Sequence, residues 1–264
     1  MKIKLFYLFI SLAVVSTGCK KEPVILPDVL VTAKTQLTAR FLILDQKMAE
    51  AASYMASVNL DTTLVRAKLL ELVNEFPDII EFAQITPAGI MKIIEPSAYH
   101  GTQGADISNQ EHVIRAYASR QPVLSQVFLA VEGFNAAVVM HPVLINGVIA
   151  GGITALFYPE TILGLIMRPL NEGLTFELWA MEKGGRLIYD AVASEIGHNL
   201  ITGEEYKEFP ELVAAAGKID AEDSGTVTYS YYQAGTTVSV KKLTYWTTYE
   251  FHGTQWKLVW GQPE

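Results

Sequence analysis

Apolar residues first form a regular pattern between Asp28 and Asn59, where they recur at alternating steps of four and three residues. The positions are Leu37, Phe41, Leu44, Met48, Ala51, Met55 and Val58. A period of 3.5 residues is typical of a coiled-coil seam, and Asp28 is a candidate N-cap. The pattern predicts one long helix, whose seam packs either on the rest of the protein or against a second copy of the chain.

A second, shorter helix is predicted after the interruption at Asn59-Leu60-Asp61. The apolar spacing is helical again from about Thr62, and Pro77 marks the end of the helix. The residues on its apolar face are Val65, Leu69, Leu72 and Phe76. Residues 28–76 are therefore predicted to form an N-terminal helical segment.

From Ile79 onward the apolar spacing changes to that of β-strands. A turn at Thr86-Pro87-Ala88-Gly89 separates two short apolar runs and predicts a hairpin. A loop, a helix, three strands and a connecting helix follow. The predicted bounds are 79–85 and 90–94 for the hairpin, 95–108 for the loop, 109–119 for the helix, 123–131, 135–144 and 148–157 for the strands, and 159–170 for the connecting helix.

The same order of elements then recurs, around a turn at Glu182-Lys183-Gly184-Gly185. The predicted bounds are 175–181 and 186–190 for the hairpin, 204–217 for the helix, and 226–233, 237–249 and 255–261 for the strands. The predicted fold class is α/β, of the α+β kind. A long N-terminal helix is followed by two modules, residues 77–170 and 171–264, and each module is a mainly antiparallel sheet with flanking helices.

The first 18 residues have the pattern of a secretory signal peptide. A basic head, Met1-Lys2-Ile3-Lys4, precedes an apolar run from Leu5 to Val15 and the small residues Ser16-Thr17-Gly18. This order is typical of a segment that directs export and is then removed. The apolar run is about half the ~20 residues that a membrane-spanning helix needs. Residues 1–18 are therefore predicted to be a signal peptide.

Cys19 is the only cysteine of the chain, so an intrachain disulfide is excluded. Its position after Thr17-Gly18 resembles the lipobox of bacterial-type lipoproteins, although Ser16 stands where leucine is usual. The resemblance implies cleavage before Cys19 and a diacylglycerol on its sulfur, and two acyl chains anchor a protein stably. Residues 19–27 are predicted to be the lipidated cysteine and a tether. The alternative is an ordinary signal peptide followed by a chance cysteine.

Charge and hydropathy indicate which partners the protein lacks and where it is located. The sequence has 28 acidic and 20 basic residues and a net charge of −8, which argues against nucleic acid or an anionic membrane surface as a partner. The longest later apolar stretch, residues 138–158, contains His141-Pro142 and an Asn146-Gly147 turn, which predict two buried strands. The predicted location is the cell envelope, extracytoplasmic, with a lipid anchor in the membrane.

Catalytic signatures are missing from the sequence. It contains no Gly-x-Ser-x-Gly elbow, no Walker loop and no His-Glu-x-x-His helix. The histidines, which show no metal-ligand spacing, are His100, His112, His141, His198 and His252. We therefore predict no enzymatic activity, no catalytic residues, no cofactor and no metal site.

The order of the elements resembles that of the double Cache (dCache) sensor domains, which are PAS-like modules of chemoreceptors and sensor kinases. The resemblance covers residues 28–262. In the first module it is carried by Thr86–Ile90, Gly104–Ser108, Pro122–Ser125 and His141–Gly151. In the second module it is carried by Gly184–Asp190, Glu195–Gly197, Ser224–Tyr229 and Trp246–Trp256.

The resemblance implies that the first module is membrane-distal and holds a small molecule between its sheet and the helix-containing loop. That region maps to residues 99–120, 123–131 and 135–141. The side chains that we predict to bind the ligand are Tyr99, His100, Asp106, Arg115, Tyr117, Ser125, Phe128 and His141. Each also has a structural alternative, because Arg115 suits a solvated helix face and His141 suits a satisfied core position.

The sequence departs from the amino-acid-binding branch of that family at two places. Ile114-Arg115-Ala116-Tyr117 stands where that branch has Arg-x-Trp-Tyr, and Leu156 stands where it has an aspartate. An ammonium group would then lack a partner, so amino acids are disfavoured. Arg115 or a histidine could pair with a carboxylate, so a small organic acid is a candidate ligand.

We therefore predict a lipid-anchored sensory protein that binds a small molecule in its first module. The chain reaches Glu264 without a second membrane segment or an output domain, so we expect a signalling partner protein to relay occupancy. A homodimer through the N-terminal helix is a further expectation. The alternative is a ligand-free scaffold or interaction lipoprotein of the cell envelope, which a pocket filled by apolar side chains would favour.

Overall fold

The protein is described here by a computed structural model that covers residues 24–173, 176–232 and 239–264. The predicted signal peptide and Cys19 lie outside these residues. The helices are α1 Asp28–Ser57, α2 Thr62–Glu75, α3 Glu111–Ser119, α4 Pro159–Asn171 and α5 Pro210–Ala221, with 3-10 turns at Ser97–Thr102, Ala193–Glu195 and Glu204–Tyr206. Within the described ranges, no helix combines the length and the hydropathy of a membrane span.

Two antiparallel sheets follow the first two helices, and they confirm the predicted fold class. The first sheet is built from β1 Glu81–Ile85, β2 Met91–Glu95, β3 Val123–Leu124, β4 Phe128–Leu129, β5 Asn135–Ile145 and β6 Val148–Phe157. The second is built from β7 Glu177–Glu182, β8 Leu187–Tyr189, β9 Ser224–Tyr232, β10 Ser239–Phe251 and β11 Thr254–Pro263. The strand orders are β2-β1-β6-β5-β3, with β4 also on β5, and β8-β7-β11-β10-β9. In both sheets the hairpin thus lies at one edge, and the three later strands follow it in reverse chain order.

The predicted seam of α1 is buried in the core of the chain itself. Its apolar positions from Leu37 to Met55 are at most 1% exposed and pack against both sheets and α4. The sheets and α4 therefore cover the seam, which leaves it unavailable for the alternative contact with a second copy of the chain. Asp28 is the first helical residue and makes no side-chain capping bond, so its prediction as the N-cap was wrong. Its carboxylate lies in the first turn, where negative charge interacts favourably with the helix dipole.

The start of α2 depends on Asp61, whose carboxylate accepts hydrogen bonds from the backbone N–H groups of Thr63 and Leu64, both at 3.0 Å. We expect Asp61→Ala to lower the free energy of unfolding by about 1 kcal/mol, because two N–H groups of the first turn lose their acceptor. Asp61→Asn keeps an acceptor oxygen and should retain most of that stability. Urea denaturation measures both variants, and equal losses would contradict the capping role.

Two predicted elements differ from the structure for identifiable reasons. The strand predicted over 123–131 is divided into β3 and β4, because the backbone N–H of Val127 donates to the carboxylate of Glu182 in the second sheet at 2.8 Å instead of continuing the ladder. The helix predicted over 204–217 begins at Pro210. Proline lacks an N–H group and suits the first helical position.

Candidate functional site

The first sheet has two buried faces, and strand alternation decides which side chains reach each one. On β1, Phe82 packs against Phe76 of the helical segment at a ring distance of 6.2 Å. Glu81 and Ala83 therefore point to the opposite face, which α3 and the preceding loop cover. The same alternation on β5 places Val138 on the α3 face and His141 on the α1 face.

A small cavity lies on the α3 face, between the first sheet and the segment that covers it. Its volume is about 20 Å³, which is room for about one water molecule. The lining residues are Glu81, Met91, Ile107, Gln110, His112, Phe128, Ala130, Val131, Glu132, Val138, Thr154 and Leu156. This is the region of the first module to which the sequence resemblance mapped a ligand.

Two carboxylates are the most unusual feature of this cavity. Glu81 is 2% exposed, and burial together with the nearby charge of Glu132 raises its pKa to about 8. The Oε2 atom of Glu81 and the Oε1 atom of Glu132 are buried, and neither has a hydrogen-bond partner among the described residues. A carboxylate oxygen in such a position is costly to ionise unless a donor or a cation meets it.

His112 adds no positive charge to the cavity. It is 2% exposed, and its ring lies 5.0 Å from that of Phe128. Burial and the charge of Arg115 lower its pKa to about 4. At neutral pH the imidazole is therefore uncharged, and the described residues that line the cavity include no lysine or arginine. The cavity is chemically an acidic site with apolar walls.

Three of the predicted ligand-binding residues lie at this cavity or beside it. Phe128 lines it, whereas Arg115 and Ser125 line an open groove next to it, of about 780 Å³, that reaches the β10–β11 turn. The guanidinium of Arg115 contacts the carbonyl oxygen of Leu124 and forms an ion pair with Glu111 at 3.2 Å. The Ser125 hydroxyl accepts from the Val138 N–H at 2.9 Å. Both side chains thus have protein partners, but the Nε atom of Arg115 is buried without a hydrogen-bond partner among the described residues.

The remaining predicted residues line neither space. The Tyr117 hydroxyl donates to the carbonyl oxygen of Thr86 at 2.8 Å, and burial raises its pKa. Asp106 is exposed and caps the turn at Ser108. Tyr99 packs at the margin of the apolar cluster below α3. These three side chains thus have structural contacts in this part of the first module.

His100 and His141 belong to polar clusters elsewhere. His100 contacts Glu95 and Arg66, at 3.2 and 3.1 Å, beside α2. His141 contacts Asp45 of α1 at 2.7 Å, on the sheet face opposite to the cavity. Neither side chain is placed to touch a molecule bound against Glu81.

The sequence analysis did not single out Glu81, Glu132 or His112. The sequence does contain a signal for Glu81, because a glutamate interrupts the apolar run Ile79-Ile80-Glu81-Phe82-Ala83. Strand alternation places this glutamate on the same face as Ala83, which is the face that α3 covers. No comparable signal marks Glu132, which lies in a turn and reaches the cavity only through the fold of residues 130–134.

Comparison with known families and structures agrees with this arrangement. Residues 39–159 match the family described as HK/GC/Chemotaxis protein-like, sensor domain. A solved extracellular ligand binding receptor from Desulfohalobium retbaense DSM5692 is 29% identical, with a TM-score of 0.75. The alignment covers 89% of this chain and 39% of that one, so this chain spans less than half of the receptor. The comparison with curated proteins gives no significant match.

Two more distant structures share the fold. One is the ligand-binding domain of the Pseudomonas fluorescens chemoreceptor CtaA in complex with L-alanine, 12% identical, with a TM-score of 0.62 over 90% of this chain and 93% of that one. The other is the ligand-binding domain of the Pseudomonas aeruginosa PAO1 amino acid chemoreceptor PctB in complex with L-Gln, 12% identical, with a TM-score of 0.61 over 90% and 87%. The predicted resemblance to double Cache sensor domains is confirmed.

Proposed function

Because residues 39–159 match the family of histidine kinase and chemotaxis sensor domains, we propose that the protein binds a small organic ammonium ion in its first module. The observation that carries this proposal is the pair of unpartnered carboxylate oxygens on Glu81 and Glu132 at one cavity. An ammonium group supplies several N–H donors and a positive charge, and it would satisfy both oxygens at once.

The charge of the lining also selects against other ligands. A free amino acid brings a carboxylate as well as an ammonium group, and the lining offers that carboxylate no cationic partner. A small organic acid, the ligand considered from Arg115 in the sequence analysis, would lie next to the negative charge of Glu132 while Arg115 contacts Leu124 and Glu111. Like charges in a buried site repel strongly. We therefore propose an amine that lacks a carboxylate, in place of the organic acid.

The size of the cavity requires a movement when such a ligand binds. About 20 Å³ is far below the volume of ~300 Å³ or more that is usual for ligand pockets. Ala130, Val131 and Glu132 of the turn 130–134 line the cavity. Two backbone hydrogen bonds hold the shape of this turn, from the Ala130 N–H to the Phe134 carbonyl at 2.9 Å and from the Gly133 N–H to the Ala130 carbonyl at 3.0 Å. We propose that this turn moves outward when the amine enters, so that occupancy changes the surface of the module.

The remaining parts of the proposal concern the environment. The lipid anchor on Cys19 places the protein at the extracytoplasmic side of a membrane, and a partner protein relays the occupancy of the cavity by population shift. A homodimer would use the face of α1 opposite to the buried seam, where Leu42 and Ile43 are 54% and 53% exposed. The protein binds its ligand without converting it.

The test is a thermal-shift screen of the purified chain with matched pairs of probes. Each amino acid is compared with its decarboxylated amine, for example alanine with ethylamine and ornithine with putrescine, and acetate and succinate are added as acids. We expect one or more amines to raise the Tm with concentration, equivalent to about 2.7 kcal/mol at a hundred times the Kd. Glu81→Gln should abolish the shift, whereas Glu111→Gln on the exposed face of α3 should leave it unchanged.

Other results would contradict the proposal in distinct ways. Shifts by acids that require Arg115 would restore the organic-acid expectation and place the site in the open groove. Stabilisation by amino acids but not by their amines would require a cation that the cavity lining lacks. No shift with any probe would favour the scaffold alternative, which the small volume of the cavity also supports.

A further inference from the structure

A second polar cluster lies between the two sheets, on the face of the first sheet that α1 covers. Asp45 extends from α1, His141 from β5 of the first sheet, and His252 from the turn between β10 and β11 of the second. Asp45 Oδ1 is 2.7 Å from His141 Nε2 and 2.5 Å from His252 Nε2. One ligating atom from each residue lies within 4.8 Å of the other two.

The types of these residues match the ligand set of a zinc-class ion. Imidazole nitrogen and carboxylate oxygen bind Zn²⁺ at about 2.0–2.2 Å, and sites with three protein ligands leave a fourth position to water or to another group. Ligating atoms at tetrahedral positions around such an ion are about 3.3 Å apart. The two nitrogens would therefore have to move away from Asp45 Oδ1 by less than about 1 Å, which side-chain rotation supplies.

Burial and electrostatics favour an ion at this place. The His141 side chain is 6% exposed, whereas Asp45 and His252 are 25% and 22% exposed, so the cluster is enclosed but reachable from solvent. Both imidazoles contact the same carboxylate oxygen. The neighbouring Tyr249 has a buried hydroxyl without a hydrogen-bond partner among the described residues.

We propose that Asp45, His141 and His252 bind one divalent transition-metal ion of the zinc class. Such an ion would join the N-terminal helix to both sheets at a single point. It would fix how the two modules pack, and its release would loosen that packing. The site is independent of the proposed amine cavity, because His141 and Val138 lie on opposite faces of β5.

The test uses the purified full chain, made without a histidine tag and stripped of metal with a chelator. Zn²⁺ alone is the probe, and stoichiometry is measured by calorimetry. We expect one Zn²⁺ per chain, and an increase in the folded-to-unfolded ratio of about a hundredfold when free Zn²⁺ is a hundred times the Kd. Co²⁺ in the same site should give the intense visible absorption of a tetrahedral or five-coordinate complex, which aqueous Co²⁺ lacks.

Matched variants separate a metal site from a hydrogen-bonded contact. His141→Gln and His252→Gln each keep a side-chain donor for Asp45 and remove a strong metal ligand, so the Zn²⁺ affinity should fall by at least the 10–100-fold known for outer-shell changes. His198→Gln, at an exposed histidine outside the cluster, should bind like the parent, and so should Glu81→Gln.

If a glutamine variant does not fold, Asp45→Asn with the Co²⁺ spectrum replaces it, because it preserves the shape of the side chain. Retention of the parent stoichiometry and Co²⁺ spectrum in all cluster variants would overturn the proposal. Failure of the parent to bind Zn²⁺ would also overturn it, and would leave the cluster as a hydrogen-bonded contact between the modules. Neither result depends on whether an amine binds at Glu81.

Discussion

Phe41→Ala should lower the free energy of unfolding by about 3–5 kcal/mol. Phe41 is 1% exposed, and its ring lies between the two sheets. Its ring neighbours are Phe157 at 5.7 Å, Tyr249 at 5.8 Å, Phe251 at 5.1 Å and Trp256 at 5.6 Å. Phe157 belongs to the first sheet and the other three to the second. Truncation therefore removes apolar contact from both modules and leaves a cavity that neither sheet can fill alone.

The matched control lies on the same helix. Val31→Ala removes an apolar side chain from α1, but Val31 is 47% exposed. Surface changes of this kind usually alter stability by less than about 0.5 kcal/mol. Urea denaturation followed by tryptophan fluorescence compares the two variants. Similar losses for both would show that α1 does not hold the modules together through Phe41.

The elements with local signals could be predicted from the sequence. The seam of α1 and the two hairpins were predictable because side-chain period and turn residues are properties of short segments. What the seam contacts was not predictable, since a 3.5-residue spacing fits a second copy as well as the two sheets. The choice depends on rings such as Phe157 and Trp256, which reach Phe41 from far along the chain.

Breaks in regular structure were harder to predict where a distant group causes them. The division of β3 from β4 follows from the hydrogen bond between Val127 and Glu182, residues of different modules. The candidate cavity was likewise predictable only in part. Its region in the first module follows from the order of elements, and Phe128 lines it, but Glu132 reaches Glu81 only through a turn whose path the sequence does not indicate.

The Asp45 cluster illustrates the limit most clearly. Asp45 is 96 residues from His141 and 207 from His252. The absence of metal-ligand spacing in the sequence therefore excluded only local sites, such as two histidines on one helix. Ligands contributed by a helix and by two separate sheets have no characteristic spacing. The predicted absence of a metal therefore stays a prediction, and the zinc titration tests it against the proposed site.

The second large effect is expected at Glu81, whose replacement by glutamine should stabilise the ligand-free protein at high pH. The folded-state pKa of about 8 lies above the ordinary value of 4.5. Between these two pH values the folded state keeps a proton that the unfolded state has lost, so the free energy of unfolding falls as the pH rises. The accumulated cost above pH 8 is on the order of 3–5 kcal/mol, and glutamine does not incur it.

The measurement is a series of urea denaturation curves for the parent and Glu81→Gln from pH 5 to pH 9. The stability difference should be below about 1 kcal/mol at pH 5, grow through pH 8, and level off above it, where both states of the parent are ionised. A difference that is the same at every pH would contradict an ionisable group with a raised pKa.

Glu132→Gln distinguishes the two causes of the raised pKa, because it removes the neighbouring charge and keeps the burial. If burial is the larger cause, the stability of this variant should still fall with pH, by less than that of the parent and over a range shifted to lower pH. An amine bound between the two carboxylates should also lower the pKa of Glu81 in the parent protein. Its positive charge would replace the stabilisation that water gives to an exposed carboxylate. The cost of ionising Glu81 in the absence of ligand and its affinity for a cation would then have the same origin.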